Sequence, residues 1–160
     1  MNHYVVHDTP IGELILGANL DHLIKISFNR KHLNQIQSCS LKNNLILEKT
    51  VEQLDEYFFN NRKLFTINYL LETTSFFKKV LDEVSSIKFG EVKSYKEIAI
   101  ILNNKNAYRI VANACARNPL PIIIPCHRVI KSTGEVGKYR GGIINKKYLL
   151  SLENKIGSFF

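Results

Sequence analysis

The first thirty positions alternate between short apolar runs and turn residues. The apolar runs cover residues 4–6, 13–16 and 23–28, and the turn at residues 9–12 separates the first two runs. Runs of this length with such boundaries are typical of short, sequentially paired strands. We therefore expect a small antiparallel sheet at the beginning of the chain.

Apolar residues then recur at helical spacing between residues 45 and 59. Leu47, Val51, Leu54 and Phe58 would share one face, which predicts an amphipathic helix. The segment after this helix is ambiguous, although residues 64–67 look strand-like. These elements predict an α/β lobe that supports the rest of the chain.

The pattern becomes mainly helical after this lobe. Thr74 can cap a helix that runs to about residue 87. Near the other end, a glycine-rich loop precedes a closing helix over residues 145–154. The side chains expected to face inward from the closing helix are Tyr148, Leu149 and Leu152.

Two short helices lie between these segments. Ser94 and Glu97 form a capping-box pattern at the start of a helix over residues 95–102. A polar turn at 103–106 leads to a second helix over 107–117. Two helices joined by a brief turn have the spacing of a helix-turn-helix. The chain is therefore predicted to be α+β, with an N-terminal lobe over residues 1–72 and a mainly helical lobe over 73–160.

Charge is distributed unevenly between the two halves of this 160-residue chain. Residues 1–85 hold 9 Lys+Arg and 10 Asp+Glu, a net charge of −1, whereas residues 86–160 hold 13 and 4, a net charge of +9 that accounts for the chain's total of +8. A basic half-chain suits an anionic partner, and nucleic acid is the common one. A solubilising surface is the alternative. An apolar fraction of 45% is enough for a packed core and excludes a disordered chain.

The cysteines indicate a reducing compartment. Cys39, Cys115 and Cys126 are odd in number and irregular in spacing, unlike a disulfide framework or a zinc cluster. No histidine has the paired cysteines of a structural zinc site, so no metal is expected. The start of the chain lacks a basic-then-apolar leader and no apolar run is long enough to span a bilayer. We expect a cytoplasmic protein without a signal peptide or membrane span.

The run Pro125-Cys126-His127-Arg128-Val129 carries the strongest chemical signal. Thiolate is the reactive form of cysteine, and neighbouring imidazole and guanidinium groups would lower the thiol pKa. The two prolines at 121 and 125 stiffen the segment. In extended backbone Cys126 and His127 would point to opposite sides, so their cooperation requires a turn or a bridging water. The alternative is an inert buried cysteine.

Several motifs around this run carry a family resemblance. They are Arg109-Ile110-Val111-Ala112-Asn113-Ala114, Asn118-Pro119, residues 121–129, Gly134, Gly137, Tyr139, Gly141-Gly142 and Glu153. Over roughly residues 75–155 the chain resembles the O6-alkylguanine-DNA alkyltransferases, also called methylated-DNA–protein-cysteine methyltransferases. The resemblance implies a ribonuclease H-like first lobe and a second lobe that binds DNA and accepts the alkyl group.

The resemblance also implies catalytic roles. Cys126 would be the alkyl acceptor, His127 its base through a water molecule, and Glu153 the carboxylate that orients His127. Asn118 would tie the second helix of the pair to the cysteine segment. Tyr95 would contact the target nucleotide and help proton transfer to the departing guanine. A thiolate suits attack on a saturated carbon because it is the strongest nucleophile among the side chains.

Further residues are implied to contact DNA or the lesion. Arg109 would fill the gap left by a flipped base. The implied DNA contacts are Tyr95, Arg109, Ala112, Asn113, Ala114 and Ser132, and the implied substrate-pocket residues are Pro121, Val129, Tyr139 and Arg140. Two residues depart from the pattern that the resemblance implies: Arg140 stands where relatives often carry a small polar residue, and Asn113 stands where a small residue is common.

The function implied is DNA repair by a single-turnover alkyltransferase. Such an enzyme flips O6-alkylguanine out of duplex DNA, moves the alkyl group irreversibly to its own cysteine and restores guanine. The expected partner is double-stranded DNA carrying O6-alkylguanine, with O4-alkylthymine as a further candidate lesion. No cofactor, metal, membrane or obligate protein partner is expected, and the protein should be a monomer.

Three alternatives remain open from the sequence. A non-catalytic lesion-recognition protein of the same fold would lack the acceptor cysteine, so Cys126 argues against it. A helix-turn-helix regulator could carry Cys126 as a structural or redox-sensing residue. A cysteine hydrolase would need a better placed base than the adjacent His127.

Overall fold

A small sheet organises the N-terminal unit, Met1–Leu71, in the computed structural model, which describes residues 3–29, 37–38 and 44–154. The strands described in this unit are β1 (His3–Thr9), β2 (Gly12–Ala18), β3 (Leu23–Ser27) and β4 (Gln37–Ser38). Their order is β3-β2-β1-β4. The first three strands pair antiparallel, as predicted, and the two-residue β4 pairs parallel with β1.

Helix α1 (Leu45–Phe59) has the bounds expected from its apolar spacing. Asn44 caps it, because its side-chain oxygen accepts a hydrogen bond from the backbone of Leu47 at 3.0 Å. Leu47, Leu54 and Tyr57 are buried along one face, so α1 contributes a large part of the unit's core.

No strand forms at residues 64–67, so that part of the prediction is wrong. The side chain of Gln53, on α1, takes the place of a partner strand. Its oxygen accepts a hydrogen bond from the Thr66 backbone and its nitrogen donates to the Thr66 hydroxyl, both at 2.8 Å. The segment reaches the sheet only at Tyr69, which forms an isolated bridge with Leu23. Backbone groups whose hydrogen bonds are made by a side chain do not need a neighbouring strand as a partner.

The C-terminal unit, Glu72–Phe160, is mainly helical. Its described elements are α2 (Ser75–Ser85), β5 (Lys93–Ser94), α3 (Tyr95–Ile101), α4 (Tyr108–Ala116), β6 (Val129–Ile130) and α5 (Ile143–Glu153). Ser94 and Glu97 form the predicted capping box at the start of α3, at 3.1 and 2.6 Å. None of the described helices combines the length and the apolar character needed to cross a membrane.

The inward face of α5 differs from the prediction. Its buried residues are Lys146, Leu149, Leu150 and Glu153. These positions follow the i, i+3, i+4, i+7 spacing of one helical face. Tyr148 is 39% exposed and Leu152 is partly exposed, so of the three side chains expected to point inward only Leu149 does. The face therefore brings a lysine and a glutamate into the core.

Candidate active site

A two-stranded parallel pairing brings distant parts of the C-terminal unit together. In it Lys93 pairs with Val129 and Ser94 with Ile130. Tyr95 directly follows β5, and a 3-10 turn at Cys126–Arg128, here called the cysteine turn, directly precedes β6. The pairing joins the two segments, and Tyr95 and Cys126 both line one cavity.

Asn118 holds the segment that leads into the cysteine turn. Its side-chain nitrogen donates to the carbonyl of Ile124 at 2.8 Å, and its oxygen accepts from the backbone of Leu120 at 3.0 Å. Ile122 adopts a φ of 76°, a left-handed conformation that strains a β-branched residue by roughly 1–3 kcal/mol. The buried contacts of this segment over-determine its path, so the thiol is presented on a rigid backbone.

The turn separates the side chains of Cys126 and its neighbours. The backbone of Arg128 donates to the carbonyl of Pro125 at 2.9 Å, which closes the turn. His127 and Arg128 both point to Glu153 on α5. Of the two alternatives predicted, the turn is present, but it directs His127 to Glu153 and not to Cys126.

Glu153 is the centre of a buried polar cluster. Its Oε1 lies 2.8 Å from His127 Nε2, and its two oxygens accept hydrogen bonds from Arg128 at 2.8 and 2.9 Å. The backbone of Gly90 donates to Oε2 at 3.3 Å, and Arg128 also donates to the carbonyl of Ile87 at 2.6 Å. The carboxylate therefore fixes the imidazole ring, as implied for an orienting residue.

Burial and pairing set the charge states in this cluster. Burial alone would raise the pKa of Glu153, but the hydrogen bonds from His127 and Arg128 and the charge of Arg128 outweigh it and hold that pKa well below its usual range. Burial lowers the pKa of His127, against the opposing effect of Glu153. A neutral imidazole that donates through Nε2 keeps a lone pair on Nδ1. Among the described protein groups, Nδ1 has no hydrogen-bond partner.

Burial raises the pKa of the Cys126 thiol, which is only 4% exposed. The opposing influences are a hydrogen bond with Asn118, the charge of Lys146, the backbone and the charge of Arg140. The cations expected beside the thiol were His127 and Arg128, and that expectation is wrong. The turn directs Arg128 to Glu153, and burial keeps His127 neutral.

Lys146 is a candidate functional residue that the sequence did not reveal. Its side chain is fully buried, and Nζ donates to the carbonyl of Val129 at 2.6 Å. Nζ also lies 3.5 Å from the Tyr95 hydroxyl. Burial lowers the pKa of Lys146 to about 8. Burial raises the pKa of Tyr95, so this hydroxyl keeps its proton.

A cavity of about 600 Å³ opens onto the thiol. Its lining residues are Tyr95, Tyr108, Arg109, Ala112, Cys115, Ala116, Cys126, Lys131, Gly137, Lys138, Tyr139 and Arg140. This set joins residues implied to act in catalysis, in DNA binding and in the substrate pocket. Cys115 also borders the cavity, whereas Cys39 lies outside the described residues.

Some of the implied site residues do not reach this cavity. Pro121 and Val129 are buried and do not line it, although the Val129 carbonyl accepts the hydrogen bond from Lys146. Ala114 is fully buried against the neighbouring helices, which makes the implied DNA contact through it wrong. Ser132 lines a neighbouring cavity of about 650 Å³ that shares Tyr95, and Asn113 is exposed on α4.

Comparison with known families covers almost the whole chain. Residues 2–71 match the family described as 6-O-methylguanine DNA methyltransferase, ribonuclease-like domain. Residues 75–155 match its partner, described as 6-O-methylguanine DNA methyltransferase, DNA binding domain. The chain belongs to the 6-O-methylguanine DNA methyltransferase family. The predicted family, the α+β fold with a ribonuclease-like first lobe, and the methylated-DNA–protein-cysteine methyltransferase class are confirmed.

Individual members of the family are similar along their full length. A methylated-DNA–protein-cysteine methyltransferase of Methanosarcina barkeri is 36% identical over 152 residues, covering 94% of this chain and 96% of the relative. A crystal structure of the Mycobacterium tuberculosis O6-methylguanine methyltransferase superposes with a TM-score of 0.89 at 33% identity, covering 97% and 94%. Mycobacterium tuberculosis OGT in complex with DNA gives 0.86 at 34% identity, covering 96% and 93%.

Proposed function

We propose that this protein repairs DNA by moving an alkyl group from O6 of guanine to Sγ of Cys126, once per chain and irreversibly. The observation that carries this proposal is the Cys126 thiol at the floor of a cavity, backed by the buried His127–Glu153 pair. In this proposal residues 73–160 bind DNA and accept the alkyl group, and residues 1–72 support them.

His127 is the base that activates the thiol. Its Nε2 is engaged by Glu153, so Nδ1 is the nitrogen that can take a proton, through one water as the family resemblance implies. The raised pKa of Cys126 means that the resting thiol is protonated and becomes nucleophilic only with this help. Glu153 then stabilises the imidazolium that forms.

The departing guanine needs a proton, and Tyr95 is placed to supply it. A sulfur–carbon bond forms while the carbon–O6 bond breaks and its electron pair stays with the base. The Cys126 proton moves to His127, and a proton from the Tyr95 hydroxyl neutralises the guanine. Lys146 Nζ lies 3.5 Å from that hydroxyl and returns a proton to the Tyr95 oxygen, so Tyr95 relays a proton from Lys146 to the guanine and ends protonated. The thioether left on Cys126 is stable, which makes the reaction single-turnover.

DNA reaches the cavity along α4. Arg109 is exposed at the rim of the cavity, with its guanidinium 5.8 Å from the Tyr108 ring centre, and Ala112 leaves room for close approach. A base buried in a duplex cannot meet the thiol, so the nucleotide must rotate out of the stack. The basic C-terminal half provides contacts to phosphates.

Intact mass spectrometry tests the proposal. Incubation with excess duplex carrying O6-methylguanine should add one methyl group per chain and no more, and should leave an equal amount of repaired guanine in the DNA. An O4-methylthymine duplex tests the second candidate lesion. If the protein binds the lesion but forms no adduct, it is a lesion-recognition protein and not an alkyltransferase. Repair of more than one lesion per chain would contradict irreversible transfer.

Arg109→Ala is expected to slow repair of duplex DNA by about tenfold or more, because flipping costs a few kcal/mol that the gap-filling side chain offsets. Reaction with the free O6-methylguanine base should change little. Arg117→Ala is the matched control, since Arg117 is an exposed arginine at the other end of α4 and lines no part of the cavity. Equal decreases in the transfer rate on duplex DNA and on the free base would contradict a gap-filling role for Arg109.

Gly137→Ala is expected to slow alkyl transfer several-fold, because Gly137 has a φ of +75° and an added Cβ would lie 3.2 Å from the Tyr95 hydroxyl. Gly134→Ala is the control, with a φ of +87° and nothing within 4 Å of its Cβ. Both variants should lose roughly 1 kcal/mol of stability from backbone strain. Transfer rates that fall equally in both variants would show that the Tyr95 contact is unimportant.

A further inference from the structure

The cavity that holds Cys126 has an unusual charge. Arg109, Lys131, Lys138 and Arg140 line it, and none of its lining residues is acidic. A single cation at the rim would suit a DNA phosphate, whereas four cations that line one cavity give the cavity a net positive charge. The carboxymethyl, methyl and other groups attached at O6 would occupy its interior.

Of the four lining cations, Arg140 is the one whose charge acts on the acceptor thiol. Lys131 is paired with Glu135 at 2.5 Å, and Arg109 lies over the Tyr108 ring. No acidic side chain of the described residues forms an ion pair with Arg140, and its charge lowers the pKa of Cys126. Arg140 and Cys126 also line the same cavity.

We propose that Arg140 makes this cavity selective for O6-alkyl groups that carry a carboxylate, of which carboxymethyl is the smallest. This inference rests on the proposed function and names the class of lesion that the same site prefers.

Charge balance in the transition state explains why a cation is needed. The Cys126 thiolate attacks the methylene carbon, the sulfur–carbon bond forms, and the carbon–O6 bond breaks with its electron pair on the guanine. When that methylene carries a carboxylate, two anions approach one another at a short distance, which opposes the reaction. A guanidinium can bind the carboxylate through two parallel hydrogen bonds and offset the repulsion. The carboxylate itself is unchanged and the product is S-carboxymethylcysteine.

The test compares two lesions of nearly equal shape. Duplexes carry either O6-carboxymethylguanine or its neutral analogue O6-carbamoylmethylguanine, and the rate of adduct formation on Cys126 is measured at saturating DNA. The ratio of the two rates in the wild type is divided by the same ratio in Arg140→Ser. This double ratio cancels the intrinsic reactivities of the lesions and any effect of Arg140 on DNA affinity or on the thiol.

A double ratio of about tenfold in favour of the carboxylate is expected, the size of one charge-assisted hydrogen bond. Arg140→Lys should retain part of the preference, and Lys138→Ser, which removes another exposed cation of the cavity, should leave most of it. A double ratio near one would overturn the inference. Methyl transfer from O6-methylguanine is measured in the same experiment. If the proposed function is wrong, transfer from every lesion is absent; if only the role of Arg140 is wrong, methyl transfer is still observed.

Discussion

Glu153→Gln is expected to lower the free energy of unfolding by roughly 3–5 kcal/mol and to slow alkyl transfer by at least about 10²-fold. The side chain of Glu153 is 1% exposed and pairs with both His127 and Arg128. Glutamine removes the anion while the Arg128 guanidinium stays buried. The imidazole also loses the group that fixes its orientation. Urea unfolding and single-turnover rates measure the two effects.

The pH dependence of stability is a second test of the role of Glu153, because the direction of the change with pH can be predicted. The pKa of Glu153 is held well below its usual range, so the carboxylate stabilises the fold above about pH 4.3, the value for an unfolded glutamate. That contribution is lost as the pH falls through the lower, folded pKa. The stability gap between wild type and Glu153→Gln should therefore narrow in acid. Glu135→Gln, which alters an exposed pair with Lys131, is the control. A gap that is absent at neutral pH, or constant into acid, would contradict the assignment.

Lys146→Met is expected to slow transfer by about 10²-fold, because it removes the buried cation that favours the Cys126 thiolate and contacts the Tyr95 hydroxyl. Burial lowers the pKa of Lys146 to about 8, so the wild-type cation is lost as the pH rises through that value. In a plot of rate against pH, the wild-type transfer rate should therefore decrease as the pH rises past about 8, which gives the profile a falling limb. The methionine variant should lack that limb.

Two variants separate this role from a structural one. Lys146→Arg keeps a cation and should recover part of the rate, and Lys147→Met changes the exposed neighbour on the same helix and should have little effect. A Lys146→Met variant that slows transfer but keeps the falling limb would show that Lys146 acts only through packing.

The elements with strong local signals were predictable. Helix α1 has its apolar stripe and α3 has its Ser94–Glu97 capping box, and both begin where the sequence indicates. The strand expected at residues 64–67 failed because one distant side chain, Gln53, satisfies the Thr66 backbone. Strand formation depends on partners that a sequence pattern does not contain.

The candidate site was predictable where the resemblance supplied long-range information. Glu153 lies 26 residues from His127, and no local pattern would have joined them. Lys146 was missed because a lysine on a helix is expected to be solvated. The signal was present: once Glu153 faces inward, Lys146 lies two turns before it on the same face. The DNA contact implied for Ala114 was wrong because a small residue can face either DNA or the core, and the sequence does not show that Ala114 is buried.

The most direct test of the account is the position of the methyl group after one round of repair. The protein is allowed to react with O6-methylguanine duplex, digested, and its peptides are mapped by tandem mass spectrometry. We expect the methyl group on Cys126 alone, an unchanged yield in Cys115→Ser, and no adduct in Cys126→Ser. A methyl group on Cys115 or Cys39, or an adduct that persists in Cys126→Ser, would contradict the assignment of Cys126 as the alkyl acceptor.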